Sequence, residues 1–217
     1  ALGNHGLLLR ALGRLPEAEE CQRRNVAICR RLVEVEKHAE FAPYLVGALG
    51  HHGEVLQALD RLPEAEQCQR ENVAICRRLV EQEKRVELTG HLAWALGHHG
   101  LLLQALDRPA EAEESQRESV AILRRLVEVE KRAGLAGDLA IALGNHADAL
   151  HQLERLGEAE ECRRESVAVL RRLVEAEKRV ELAPHLASAL GHHGRLLLAF
   201  DRLAEAEPCQ RDNVAIL

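Results

Sequence analysis

Histidine is the side chain whose ordinary pKa lies between pH 5 and 8, where it can act as a general base, a metal ligand or a two-way hydrogen-bonding group. In this chain the histidines are regularly spaced. His5, His52, His99, His146 and His193 stand 47 residues apart, and His51, His98 and His192 form a second column in which Asn4 and Asn145 fill the remaining places. A metal is chelated from one helix only by histidines three or four residues apart, whereas neighbours such as His51 and His52 point about 100° apart. Ligation would have to bridge adjacent repeats, and no carboxylate or thiolate recurs at a matching position on the same helix. A metal-responsive array is therefore the outlying reading of these columns.

His52 stands three residues after Leu49 and four before Leu56, inside an apolar helical stripe. That placement predicts a buried, neutral imidazole, which needs a hydrogen-bond partner. The candidates that recur at the same period are Asn25, Asn72, Ser119, Ser166 and Asn213, or the column Gln22, Gln69, Gln116 and Gln210. The six cysteines fall at two repeat positions, Cys21, Cys68, Cys162 and Cys209 at one and Cys29 and Cys76 at the other. Ser115, Leu123 and Leu170 occupy equivalent places, so these sites accept small or apolar groups and the cysteines read as buried free thiols. Cys21 and Cys29 lie a helical rise of about 12 Å apart, too far for a disulfide. Reduced thiols point to a cytoplasmic location. No nucleophile is matched with a base and an orienting acid, and there is no phosphate loop or metal motif, so neither an enzyme nor a cofactor is expected.

The elements that position these side chains come from a tandem repeat. The string Ala-Leu-Gly-His-His-Gly, or a near copy, begins at Ala1, Ala48, Ala95, Ala142 and Ala189, with no linker between copies. A fixed period of this size predicts a solenoid whose units bury their apolar faces on each other. The division is a partial repeat over 1–42, repeats over 43–89, 90–136 and 137–183, and a partial repeat over 184–217. One array that starts and stops at different points of its repeat reads as a piece of a longer protein.

Within the second unit, Leu45, Ala48, Leu49, Leu56 and Leu59 follow the spacing of an amphipathic helix from about Pro43 to Leu59. Pro63 suits the first turn of a second helix, expected from about Leu62 to Lys84. Ala65, Cys68, Val73, Ile75, Cys76, Leu79 and Val80 span an arc too wide for one neighbour, so this helix must touch both its own partner and the next repeat. Leu88-Thr89-Gly90, with Ala42-Pro43, Ala136-Gly137 and Ala183-Pro184, separates one repeat from the next.

These residues resemble the tetratricopeptide repeat family. The resemblance rests on a small residue midway along the first helix and an Ala twelve residues later: Gly6 with Ala18, Gly53 with Ala65, Gly100 with Ala112, Gly194 with Ala206, and Ala147 with Ala159. The string Asp60-Arg61-Leu62-Pro63-Glu64-Ala65 is similar to the family's turn. The long period and Arg77-Arg78-Leu79 resemble the kinesin-light-chain-like repeats of bacterial multidomain proteins, while His51-His52-Gly53 departs from the family's Asn-Leu-Gly. The resemblance implies an all-α, right-handed α-solenoid of antiparallel helix pairs. It also implies that the His51 column faces a concave groove, where the family's usual Asn, kept at Asn4 and Asn145, hydrogen-bonds an extended peptide.

Residues three or four from that column share its face. They are Gly47, Glu54 and Gln57; Trp94, Leu101 and Gln104; Ile141, Asp148 and His151; and Ser188, Arg195 and Leu198. Unlike the scaffold, these positions differ from copy to copy. The candidate peptide-binding set is therefore His51, Glu54, Trp94, His98, Leu101, Asn145, Asp148, His151, His192 and Arg195, with Trp94 as an aromatic anchor. Packing within the array is the alternative for each of them. Gly50, one residue before the column, is expected where a neighbouring helix approaches closely, since a mid-helix Gly otherwise costs about 1 kcal/mol.

Composition limits the partners. Aromatics make up 2% of the chain, so the core must be Leu, Ala and Val. The net charge is −6 with both signs interspersed, which excludes a basic stripe for nucleic acid. No apolar run is long enough for a membrane span. The expected function is a protein- or peptide-binding scaffold. A sensor or regulatory segment of a larger signalling ATPase or protease is the alternative, and end-to-end stacking of copies is expected through their cut faces.

Overall fold

A computed structural model describes residues 2–216. Ala1 and Leu217, where the array begins and ends in sequence, lie outside them. The fold is built from helix pairs in two units, Ala1–Arg108 and Pro109–Leu217. The first unit holds α1 (Leu2–Ala11), α2 (Leu15–Arg30), α3 (Ala42–Ala58), α4 (Leu62–Arg77) and α5 (Thr89–Ala105). The second holds α6 (Pro109–Arg124), α7 (Ala136–Gln152), α8 (Leu156–Arg171), α9 (Ala183–Ala199) and α10 (Leu203–Ile216). Odd-numbered helices are the first of each repeat and even-numbered helices the second. The described residues contain no strand.

The second helices α2, α4, α6 and α8 are each prolonged by a π-helical turn, at Arg31–Val35, Arg78–Gln82, Arg125–Val129 and Arg172–Ala176. A lysine in the left-handed region follows, Lys37, Lys84, Lys131 or Lys178. A 3₁₀ turn such as Val86–Leu88 then leads into the next first helix. The expected end of the second helix near Lys84 coincides with this stop. The expected break at Leu88-Thr89-Gly90 does not, because Thr89 and Gly90 already belong to α5. Ala42-Pro43, Ala136-Gly137 and Ala183-Pro184 likewise lie in the first turns of α3, α7 and α9. A first-turn proline lacks only an N–H that has no helical acceptor, so it opens these helices, and the chain reverses upstream at the lysine.

Within a pair, the turn is a Schellman closure. The Arg61 N–H donates to the Leu56 carbonyl at 2.9 Å and the Asp60 N–H to Gln57 at 3.0 Å, with Asp60 left-handed at φ 59°. Gly13 holds the same place in the first repeat, whereas Asp107, Glu154 and Asp201 adopt it with side chains. Aliphatic layers form between consecutive helices of a unit. Val26 and Cys29 pack on Leu45, Ala48 and Leu49 in the first unit, and Val167, Leu170 and Leu173 on Leu186 and Leu190 in the second. Within the units, α2, α4 and α8 thus contact both the first helix of their own repeat and that of the next, as the wide apolar arc requires.

Candidate functional site

The two histidine columns have different surroundings. His52 is largely buried, with side-chain exposure of 12%. Its Nδ1 lies 3.6 Å from Cys68 Sγ on its own second helix, and its Nε2 lies 3.4 Å from Glu19 on the second helix of the preceding repeat. The pattern recurs as Cys162–His146–Glu113 and Cys209–His193–Glu160, and His99 reaches Glu66 at 3.2 Å. Neither the Asn/Ser nor the Gln column supplies the partner expected from sequence. The acceptor is a glutamate 33 residues upstream, on another repeat.

This geometry selects one protonation pattern. Burial pushes the Cys68 thiol up to about 11, so it stays protonated and donates to Nδ1, while Nε2–H donates to the carboxylate. Burial also pushes His52 and His146 below the ordinary imidazole range, against the pull of their glutamates. Cysteine, histidine and glutamate are linked in series, but desolvation holds the half-buried Cys68 thiol in its protonated, non-nucleophilic form. The array is a structural staple.

Arginines complete the staple. Glu66, Glu113 and Glu160 are buried, and each has an arginine one turn later on its helix and a second from the turn of the next repeat. For Glu113 these are Arg117 at 3.7 Å and Arg155 at 3.4 Å. The cysteines are all free; Cys29 and Cys76 are buried and the other four half-buried. No group of three metal-ligating side chains is arranged to hold an ion among the described residues.

The first-helix glycines make room for side chains. A Cβ on Gly53 would lie 3.0 Å from Gln69 Nε2, and this glutamine amide donates to the Gly50 carbonyl at 3.4 Å. Ala65, the family's packing partner for Gly53, is itself fully buried. At Gly50 the neighbour is the Trp94 ring, 2.7 Å from where a Cβ would stand. The expected close approach there is made by a side chain of the adjacent first helix.

The candidate binding residues divide between the units. In the first, Trp94 stacks on His98 with ring centroids 4.0 Å apart and remains 39% exposed, with Leu101 36% exposed on the same helix. Glu54 hydrogen-bonds Arg10 across from α1 to α3. His51 is half-buried, and burial, together with the charge of Arg10, lowers its pKa. Burial has the same effect on His98.

In the second unit Asp148, His151, His192 and Arg195 converge on one cleft of about 350 Å³ between α7, α8 and α9. His192 Nδ1 lies 3.4 Å from Ser188 Oγ, and Asn145 is half-buried one residue before the staple histidine. Arg163, which the sequence reading passed over, also lines this cleft and hydrogen-bonds Asp148. Its signal was present in sequence: it replaces glutamine in a column otherwise made of Gln22, Gln69, Gln116 and Gln210.

No helix among the described residues is long and apolar enough to cross a membrane. The fold is shared with a candidate kinesin light chain of Podosopora anserina that has nearly identical repeats. The likeness gives a TM-score of 0.73 at 19% identity, covering 99% of this chain and 92% of that one. BtubC from P. vanneervenii gives 0.56 at 17% identity, covering 93% and 90%, and the apo form of RapI gives 0.61 at 11%, covering 99% and 81%. The comparison with curated protein sequences gave no match. Residues 1–40, 47–83 and 92–130 match the tetratricopeptide repeat, and with the paired helices and kinesin-light-chain-like neighbours this places the chain in the tetratricopeptide repeat family.

Proposed function

We propose that the chain is a non-catalytic scaffold that binds a peptide or protein segment on the faces of its first helices. The observation that carries this reading is the contrast between two kinds of position. Staple residues recur in nearly every copy, whereas the half-buried or exposed positions beside the His51 column change from Leu7 to Glu54, Leu101, Asp148 and Arg195. A face that varies on a constant frame is suited to recognition, because its side chains are not needed for packing. Trp94 contributes a large, rigid surface already fixed by Gly50 and His98, which lowers the entropy lost on binding.

The test uses a ligand captured from a random peptide library on the whole chain. Trp94→Ala or His98→Ala is expected to weaken that ligand by about tenfold or more, the scale of an interface hot spot, without loss of helicity. Unchanged affinity in both variants, and in Arg195→Gln, would place the binding surface elsewhere.

A further inference from the structure

Three of the staples hold a ligand geometry that packing alone does not use. In each, an imidazole stands between a carboxylate and a thiol: His52 between Glu19 and Cys68, His146 between Glu113 and Cys162, and His193 between Glu160 and Cys209. Nε2 lies 3.4, 3.2 and 3.3 Å from the carboxylate in that order, which keeps the ring proton on that nitrogen. The Nδ1 lone pair is left facing sulfur, at 3.6, 3.7 and 3.8 Å. A carboxylate behind one imidazole nitrogen is the arrangement that aims the other nitrogen at a metal.

The spacing has room for an ion in place of the thiol proton. An ion bonded to sulfur at about 2.3 Å and to nitrogen at about 2.0 Å holds the two atoms roughly 3.5 Å apart at a tetrahedral angle and roughly 4.3 Å apart in line. All three pairs fall between these limits. The cysteines are half-buried, within reach of a small ion. A cleft of about 510 Å³ between α8, α9 and α10, with Val167, Ala168 and Leu190 on its wall, opens on His193 and Cys209.

The donor set selects the ion. Each pair offers one soft sulfur and one imidazole, and no group of three metal-ligating side chains is formed among the described residues. Zinc takes four ligands in a structural site, and with a single thiolate it would keep a positive charge in an apolar layer. A soft monovalent cation accepts as few as two donors, and its complex with a thiolate and a neutral imidazole carries no net charge.

We propose that the Cys68–His52, Cys162–His146 and Cys209–His193 pairs are binding sites for copper(I), one ion to each pair. The ion bonds to Sγ and Nδ1, the thiol proton leaves to solvent and no electron is transferred, while Nε2–H stays on its glutamate. These sites lie between first and second helices and do not depend on the peptide face. The third repeat supplies a contrast, since Ser115 stands in the cysteine column and a hydroxyl is a hard donor. Cys21 and His5 repeat the contact at 3.7 Å, but in an exposed setting where water competes for the ion. Cys76 is a buried thiol whose hydrogen bond goes to Asn72 instead of an imidazole.

The probe is copper(I), kept anaerobic as its acetonitrile complex and titrated into the reduced, isotope-labelled whole chain, with the imidazole nitrogens followed by NMR. The Nδ1 resonances of His52, His146 and His193 should move as the ion is added, while that of His99 stays in place. Cys68→Ser, which copies the third repeat, should weaken copper at His52 at least tenfold and leave His146 and His193 responding. Cys76→Leu, which matches Leu123 and Leu170 in its column, should leave all three responses unchanged. Absence of uptake, or uptake without movement of these imidazoles, would overturn the proposal; the second result would mean capture by thiols alone. Equal losses in Cys68→Ser and Cys76→Leu, or a His99 response equal to that of His52, would overturn it as well.

Discussion

The imidazole of His52 is neutral because it lies in an apolar layer, and its two nitrogens are satisfied in opposite senses by Cys68 and Glu19. Its folded pKa is depressed below the unfolded value of about 6.5, as is that of His146 and, through burial, of His51, His98 and His192. The unfolded chain therefore takes up more protons as pH falls below about 6.5. The stability these groups contribute is complete above that pH and is lost as pH falls through the folded values. The melting temperature should drop between pH 7 and pH 5, before exposed carboxylates titrate; a flat profile would contradict the neutral staple. Burial of this column was legible from Leu49 and Leu56. Its partner was not, because a glutamate 33 residues away on another repeat leaves no local signal. Backbone strain gives a second residue-scale expectation. Glu154 is held at φ 59° where the first repeat has Gly13, so Glu154→Gly should raise stability by about 0.5–1 kcal/mol in urea denaturation.

Between helices, the buried glutamates act as staples from one repeat to the next. Glu66 on α4 meets His99 on α5 at 3.2 Å and Arg108 at 3.7 Å, while Arg70 approaches from its own helix. Removing the carboxylate takes from His99 its acceptor on α4 and breaks the buried ion pairs across the repeat boundary, so Glu66→Ala should cost about 3 kcal/mol in chemical denaturation. The half-exposed Arg30–Glu71 bridge between α2 and α4, at 2.8 Å, should matter less: Glu71→Gln should cost under about 1 kcal/mol. In the fourth repeat Ala147 and Arg163 stand where the other copies have Gly and Gln, and a double-mutant cycle tests that exchange. Arg163→Gln should destabilise the chain, because Ala147 occupies the space that the amide uses elsewhere, and Ala147→Gly should recover part of the loss. Strict additivity of the two changes would contradict that coupling. Helix starts were readable from Pro43 and Pro63. The stop near Lys84 was readable too, but the break between repeats was misplaced by a few residues at Leu88-Thr89-Gly90, since a left-handed lysine after a π turn has none of the composition of a glycine or proline break.

At the scale of the molecule, the period of 47 residues made the architecture legible, because a unit of two helices must bury its apolar face on a neighbour. Most of the surplus over the family's usual 34 residues lies in the π turn, the left-handed lysine and the 3₁₀ turn that follow α2, α4, α6 and α8. Which side chains bind was only partly readable. Trp94, Asp148 and Arg195 stood out by varying against a repeated frame, but the cleft also depends on Arg163, which spacing assigned to the scaffold. The central claim is that ligand is held by the first helices. Hydrogen exchange of the whole chain, with and without a library-selected peptide, tests it most directly. The account predicts added protection on α3, α5, α7 or α9 around Trp94 and Arg195, with the second helices little changed; protection confined to the exposed faces of α2, α4, α6 and α8 would contradict it.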